Sequence, residues 1–435
     1  MLEIWKQKII VVIEIVHWWV FGHEMSPTMK DFLRQLSWSF LGIFFNGIVL
    51  FVVNVLAGRI LGPAGYGKYN LVLVVANIVT IFVLLGQDMT SIKYISSSEK
   101  EKDKKQYLSN SFYIILSSSF LWIVFSIFFY FQIAHLLNFD QKIFLLAVIF
   151  AIVMSMRTLL DSFVKSFNFF KFQSLFKIIE GIIILAVFIF FFLALKFDDY
   201  QYYIFSLTAG YFILCLIFFL KIKQKIVAWD KQKFLDIIQY SKVTIILTII
   251  GTIMASMDKL FIGKTLGIEQ LGIYSAYLVS TAIFVGQIIL ILNNVFFPIV
   301  NQVEDKSIII KKVDKLLFLG LIPGTFVLFL FSYGIMSIFG KEYQLNIFYV
   351  IAFSVMAFLQ IAGSLYKSII SSQEKNYMTL KKISYVMLFL FFIMYGILFI
   401  VKVETLTYFV LLYCLYVILN VFIIRKGCVK NKIFL

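Results

Sequence analysis

The sequence predicts an all-α polytopic membrane protein with twelve transmembrane helices. They form two six-helix lobes related by pseudo-two-fold symmetry, and both termini are cytoplasmic. Three observations carry this. The 435 residues are 62% apolar and 14% charged, with a mean hydropathy of +0.96, far outside soluble globular composition. Twelve apolar runs of about 20 residues follow one another, each long enough to cross a hydrocarbon core of about 30 Å. Finally, the stretch from Arg59 to Tyr69, R-I-L-G-P-A-G-Y-G-K-Y, returns 205 residues later as K-T-L-G-I-E-Q-L-G-I-Y. Gly58, Arg59, Leu61, Gly62, Gly67 and Tyr69 thereby match Gly263, Lys264, Leu266, Gly267, Gly272 and Tyr274. Each copy closes one apolar run and opens the next, as expected of two copies of one bundle.

Residues 1–29 are an N-terminal extension. Ile9 to Gly22 is apolar but only about 14 residues long, and Glu14 and His17 interrupt it, so it is short for a span. No small-residue cleavage site follows to make a signal peptide. The expectation is an interfacial helix with Trp18 and Trp19 at headgroup level, or a start-site extension, since Met25 and Met29 both stand in position to initiate. The spans follow at roughly 36–58, 69–91, 108–132, 143–164, 174–195, 201–220, 238–262, 273–298, 314–338, 345–369, 382–401 and 405–424. The predicted organisation is an N-lobe at 30–222, a basic amphipathic cytoplasmic linker at 223–237, a C-lobe at 238–427 and a cytoplasmic tail at 428–435.

The net charge of +16 would elsewhere suggest nucleic acid. Here the cations sit in short connections between apolar runs, where they set topology. With Lys30 on the cytoplasmic side, 31 of the 39 Lys and Arg residues fall on that side. Every inside segment carries more cations than any outside one, so both termini are assigned to the cytoplasm and nucleic acid is not an expected partner. Six spans per lobe is an even number, so the lobes share one orientation and are related by an axis along the membrane normal. The outer connections are too short to house a catalytic domain.

Cys215, Cys414 and Cys428 are widely spaced, and two lie inside apolar runs. They read as small buried hydrophobes, not as a disulfide framework or metal site. No phosphate-cradling glycine loop, metal-ligand cluster or nucleophile–base spacing occurs. No enzyme activity and no cofactor are expected.

A Ser39-x6-Asn46 stretch in the first span precedes Arg59-x-Leu61-Gly62-Pro63-x-x-Tyr66-Gly67-x-Tyr69, and the seventh span carries Asp258-Lys259-x-x-Ile262-Gly263-x-x-Leu266-Gly267. With twelve helices in two lobes, this resembles the polysaccharide repeat-unit flippases (O-antigen and capsule type) of the multidrug/oligosaccharidyl-lipid/polysaccharide exporter superfamily. The resemblance covers about residues 30–425, and beyond about residue 300 it rests on hydropathy. It implies translocation of undecaprenyl-diphosphate-linked oligosaccharide across the bacterial cytoplasmic membrane by alternating access. It also implies H⁺ or Na⁺ as coupling ion and an association with polysaccharide polymerase machinery. Membrane lipids are the remaining partner.

Charged side chains inside spans cost about 3 kcal/mol at a helix centre, so they face a cavity or a partner. Arg59 and Lys264 end spans 1 and 7 at equivalent positions, suited either to a lipid-linked pyrophosphate or to snorkelling into headgroups. Arg157, Asp161 and Lys165 share one face of span 4, which offers either a cationic vestibule for diphosphate or an internal Arg157–Asp161 pair. Lys177 and Glu180 open span 5 and read as part of the interfacial network. Asp258 inside span 7, with Asp88 and Asp161, are the candidate ion-coupling carboxylates; local ion pairs or a role in the turn are the alternatives. Asn46 is the leading uncharged substrate-binding candidate. Asn54, Asn77, Gln287, Asn293, Asn294 and Gln360 serve either sugar hydroxyls or helix bridging. Pro298 and Pro323-Gly324 are expected to bend spans 8 and 9. The competing reading is a multidrug/cation antiporter or lipid II flippase of the same superfamily. The basic lean of the intramembrane charges argues against the antiporter, and the room for only twelve spans against a lipid II flippase.

Overall fold

The computed structural model describes residues 27–137, 140–302, 306–371 and 377–430. The interfacial helix expected before residue 27 lies outside them, as do the side chains of Ser39, Asn293, Asn294 and Pro298. Among the described residues every regular element is helical and no strand occurs. This is what a bilayer demands, because an open strand would leave backbone amides unsatisfied in hydrocarbon.

The first element, α1 (Pro27–Leu84), has 58 residues, about 87 Å at 1.5 Å per residue, nearly three times the hydrocarbon thickness. It is two spans joined at Gly62, whose φ of 65° and ψ of 176° break the helix, with Pro63 beginning the second arm. Proline fits there because the first turn of a helix needs no N–H donor. Beyond it lie α2 (Gln87–Ser97), α3 (Glu101–Leu137), α4 (Gln141–Ser166), α5 (Phe170–Ile189) and α6 (Tyr200–Ile222). Then come α7 (Lys231–Thr265), α8 (Ile268–Gln302), α9 (Lys306–Phe339), α10 (Ile347–Ser371), α11 (Tyr377–Ile400) and α12 (Leu406–Lys430). Eleven of these helices are long and apolar enough to cross a membrane, and α1 is the broken one among them, so the described residues hold twelve spans. The chain is a multi-pass membrane protein.

Local signals set the ends. Asp140 accepts from the Lys142 amide at 3.0 Å and Asp199 from that of Gln201 at 3.2 Å, capping α4 and α6. Pro323 does not interrupt α9, and Gly324 beside it leaves the space that the Phe358 ring of α10 fills. Phe318 and Ile322, one turn apart on α9, are about 80% exposed, an outward stripe that only lipid would cover comfortably.

Two compact units divide the chain, Met25–Lys264 and Thr265–Leu435. In the first, α4 is central and packs against α1, α2, α3 and α6. In the second that place is taken by α10, against α8, α9 and α12. The two motif tyrosines repeat the same packing. Tyr69 lies 4.3 Å from Tyr203 of α6, and Tyr274 lies 5.6 Å from Phe409 of α12, ring centre to ring centre. The internal repeat seen in the sequence is therefore a repeat of structure.

Candidate functional site

Two polar features interrupt the apolar interior of the first unit. One is a network of charges on α4 and α5, faced by a tyrosine ring of α6. Arg157 donates from Nε and Nη2 to the two carboxylate oxygens of Glu180, at 2.7 and 3.0 Å. Glu180 lies on α5 with a fully buried side chain, and the guanidinium sits 4.4 Å from the centre of the Tyr211 ring of α6. Asp161 has other partners: Lys165 Nζ at 2.9 Å, Lys177 Nζ at 3.5 Å and the Gln173 amide. The expected Arg157–Asp161 alternative is thus replaced by a cross-helix pair. Glu180 faces Arg157 from the next helix and offers both oxygens to the planar guanidinium, a geometry charge-assisted bonds favour. Those two nitrogens are committed to a protein carboxylate. The network welds α4 to α5 and leaves little of Arg157 to hold a diphosphate.

Asn46, on the first arm of α1, packs against this region. It is buried, its Oδ1 has no hydrogen-bond partner, and it occupies the space where a Cβ on Gly181 would fall. Glycine at 181 is what lets the two helices approach.

The second feature is a cavity of about 280 Å³ walled by the second arm of α1, the start of α2 and the face of α7. Asn77, Thr80 and Asp88 line one wall; Thr248, Thr252 and Ser256 line the other. The last three are four residues apart, so they form one stripe along α7. Gly251 lies in the same wall, and a Cβ added there would meet nothing within 4 Å. Thr80 Oγ1 is buried without a hydrogen-bond partner. Among the described residues, Asp88 is the only charged one in the lining.

Below the cavity α2 is strapped to α7. Gln87 donates to Ser241 Oγ at 3.0 Å, Thr90 Oγ1 lies 3.2 Å from the same atom, and Tyr94 donates to the Asp236 carbonyl at 3.1 Å. Lys93 stands 3.6 Å from the centre of the Tyr240 ring. Gly86, with φ of 69°, permits the turn into α2. In the second unit a far smaller cavity of about 10 Å³, bordered by Thr281, Gln360 and Tyr413, has room for at most one water.

The remaining expected residues are dispersed. Arg59 and Lys264 are exposed at the ends of the first arm of α1 and of α7. Asp258 is buried on α7, with Oδ1 accepting from the Lys259 amide at 2.8 Å. Of the expected residues, Arg157, Asp161 and Asn46 share a neighbourhood, and Asp88 and Asn77 line the larger cavity. Sequence reasoning missed the partner role of Glu180 and the whole α7 stripe. The signal for the stripe was present: three hydroxyl residues at four-residue spacing around a glycine. Among the described residues no group of three His, Cys, Asp or Glu side chains is placed to hold a metal.

A family model described as polysaccharide biosynthesis protein matches residues 32–304. No curated protein matches the chain. Solved structures match over nearly its whole length. An inward-facing multidrug resistance MATE family transporter of the MOP superfamily is similar with a TM-score of 0.68 at 10% identity, over 89% of this chain and 94% of that one. A MATE protein in complex with MaL6 gives 0.58 at 13% identity, over 92% and 95%. An outward-facing MATE transporter of the MOP superfamily gives 0.52 at 11%, over 91% and 93%. At such identities the likeness is one of fold. Matched by its model over more than half of its length, the chain belongs to the polysaccharide biosynthesis protein family and is built on the fold of the MATE transporters.

Proposed function

We propose that this protein is a flippase that carries a lipid-diphosphate-linked oligosaccharide repeat unit across the bacterial cytoplasmic membrane for surface polysaccharide assembly. The observation that carries the reading is the hydroxyl- and amide-lined cavity inside an otherwise apolar bundle, in a member of a polysaccharide biosynthesis family. Buried polar groups are costly in a membrane interior, so a cavity wall lined by hydroxyls and an amide argues for a polar cargo. The glycan passes through the protein while the lipid tail stays in the bilayer, and access alternates between the two membrane faces. Arg59 and Lys264, exposed at helix ends, are the candidate contacts for the diphosphate. Asn46 and the cavity residues are candidate contacts for sugar. Of the three expected H⁺ or Na⁺ coupling carboxylates, Asp258 and Asp161 keep that role in this proposal, while Asp88, which lines the cavity, is given to the cargo; polysaccharide polymerase machinery is the expected downstream partner.

The test is to delete the gene, extract lipids and quantify lipid-linked oligosaccharide beside surface glycan. Accumulated lipid-linked repeat units with lost surface polymer are expected. Unchanged surface glycan with altered sensitivity to cationic drugs would overturn the proposal in favour of a second reading, the multidrug/cation antiporter. One observation favours that alternative: among the described residues the sole charge lining the cavity is a carboxylate, Asp88. A lipid II flippase would show instead as a defect in peptidoglycan precursors.

A further inference from the structure

We infer that the cavity between the second arm of α1 and α7 is a subsite for a single uncharged sugar ring, and that Asp88 makes it reject acidic sugars. The inference rests on the flippase reading and goes beyond it by naming which part of the cargo sits here.

The lining decides the chemistry. Asn77, Thr80, Thr248, Thr252 and Ser256 supply both donors and acceptors, as a polyol needs, and no Lys or Arg is among the described lining residues. A diphosphate placed here would lose its hydration without gaining a cation. Ile81, Leu84 and Ala255 lie between the polar residues, so the walls alternate hydroxyl and hydrocarbon, as do the faces of a pyranose. The volume, about 280 Å³, is at the low end for small-molecule sites and suits one ring, not a whole repeat unit. Thr80 Oγ1, buried and without a partner, is the group a sugar hydroxyl would satisfy. The Thr248 hydroxyl donates to the Thr244 carbonyl at 2.9 Å, which leaves its lone pairs to accept. Asp88 accepts from sugar hydroxyls or an ammonium, and a second carboxylate brought beside it is repelled.

Two experiments test this. In the first, Thr252→Cys is made in a chain whose Cys215, Cys414 and Cys428 are replaced by Ala. Its labelling by cationic and anionic methanethiosulfonates is followed in proteoliposomes. The cationic reagent should react about fivefold faster after correction for free thiol, and Asp88→Asn should abolish the difference. Equal rates, or a difference that survives Asp88→Asn, would overturn the assignment.

In the second, the gene replaces the resident flippase in two strains whose repeat units differ only by a hexose or its uronic acid. Wild type should restore surface polymer with the neutral unit and on the order of tenfold less with the acidic one; Asp88→Asn should narrow that gap. Gly251→Leu fills the cavity from a position where a Cβ meets no neighbour, so protein level should hold while polymer is lost. Equal restoration of both units, unaltered by Asp88→Asn, or normal transport by Gly251→Leu, removes the subsite and leaves the flippase reading intact. Restoration of neither unit by wild type removes both.

Discussion

Gly62 and Gly267, 205 residues apart, are the same hinge made twice: both have positive φ, 65° and 98°, and both stand where one span ends and the next begins. The motif recurs because the fold needs, at two places, a backbone conformation that side chains resist. Alanine is strained at both sites. Gly62, with ψ of 176°, lies in a region open essentially to glycine alone. A Cβ at Gly267 meets nothing within 4 Å, so only the backbone term applies there.

Gly62→Ala and Gly267→Ala should therefore each destabilise the protein by about 1–3 kcal/mol. Thermal unfolding of the purified protein in detergent measures both. A loss well under about 1 kcal/mol at either position would contradict the account.

The Arg157–Glu180 pair should behave as a buried structural weld. Glu180→Gln or Arg157→Ala leaves an uncompensated charge or polar group in a dry interior, and a loss of about 3–5 kcal/mol is expected. Arg157→Met with Glu180→Leu removes both charges together and should recover most of that loss. The contrast is Asp314, which accepts from Arg425 at 2.8 and 3.0 Å at a half-exposed site. Arg425→Ala should cost only about 1 kcal/mol. A double mutant at 157 and 180 as unstable as the singles would show that the charges serve something other than packing.

The spans were legible in the sequence because each is a continuous apolar run, and membrane helices satisfy their own backbone. The repeat was legible because glycine is irreplaceable at its hinge. Partnerships between helices were not. Arg157 and Asp161 are one turn apart in sequence, yet Glu180 wins because it presents both oxygens from the facing helix. Spacing reports which residues share a face but not what that face meets. The Thr248, Thr252 and Ser256 stripe is equally ambiguous without a structure, since hydroxyl residues in membrane helices commonly bond their own backbone, as Thr248 does.

Orientation follows from charge alone and is directly testable. With 31 of 39 cations on one side, both termini should be cytoplasmic. A green fluorescent protein fused after Leu435 should then fluoresce, and alkaline phosphatase fused there should be inactive. The reverse result would invert every inside and outside assignment, including the outer placement of Arg59 and Lys264.

The strap between α2 and α7 predicts a specific rescue. Gly86 has φ of 69°, and a Cβ there would collide with Thr244 Oγ1, while Thr244 Cβ would stand at a tight but adjustable 3.1 Å. Gly86→Ala thus carries two separable costs, backbone strain of about 1–2 kcal/mol and a steric clash across the helix pair. Thr244→Ala alone loses the hydroxyl's bond to the Ser241 carbonyl, about 1 kcal/mol. Combined, the two changes should be less damaging than their sum, because the clashing atom is gone while the strain persists. A double-mutant cycle on unfolding free energies should return a favourable coupling of about 1–2 kcal/mol. Strict additivity would mean that α2 and α7 do not approach each other at Gly86, and the lower boundary of the cavity would have to be redrawn.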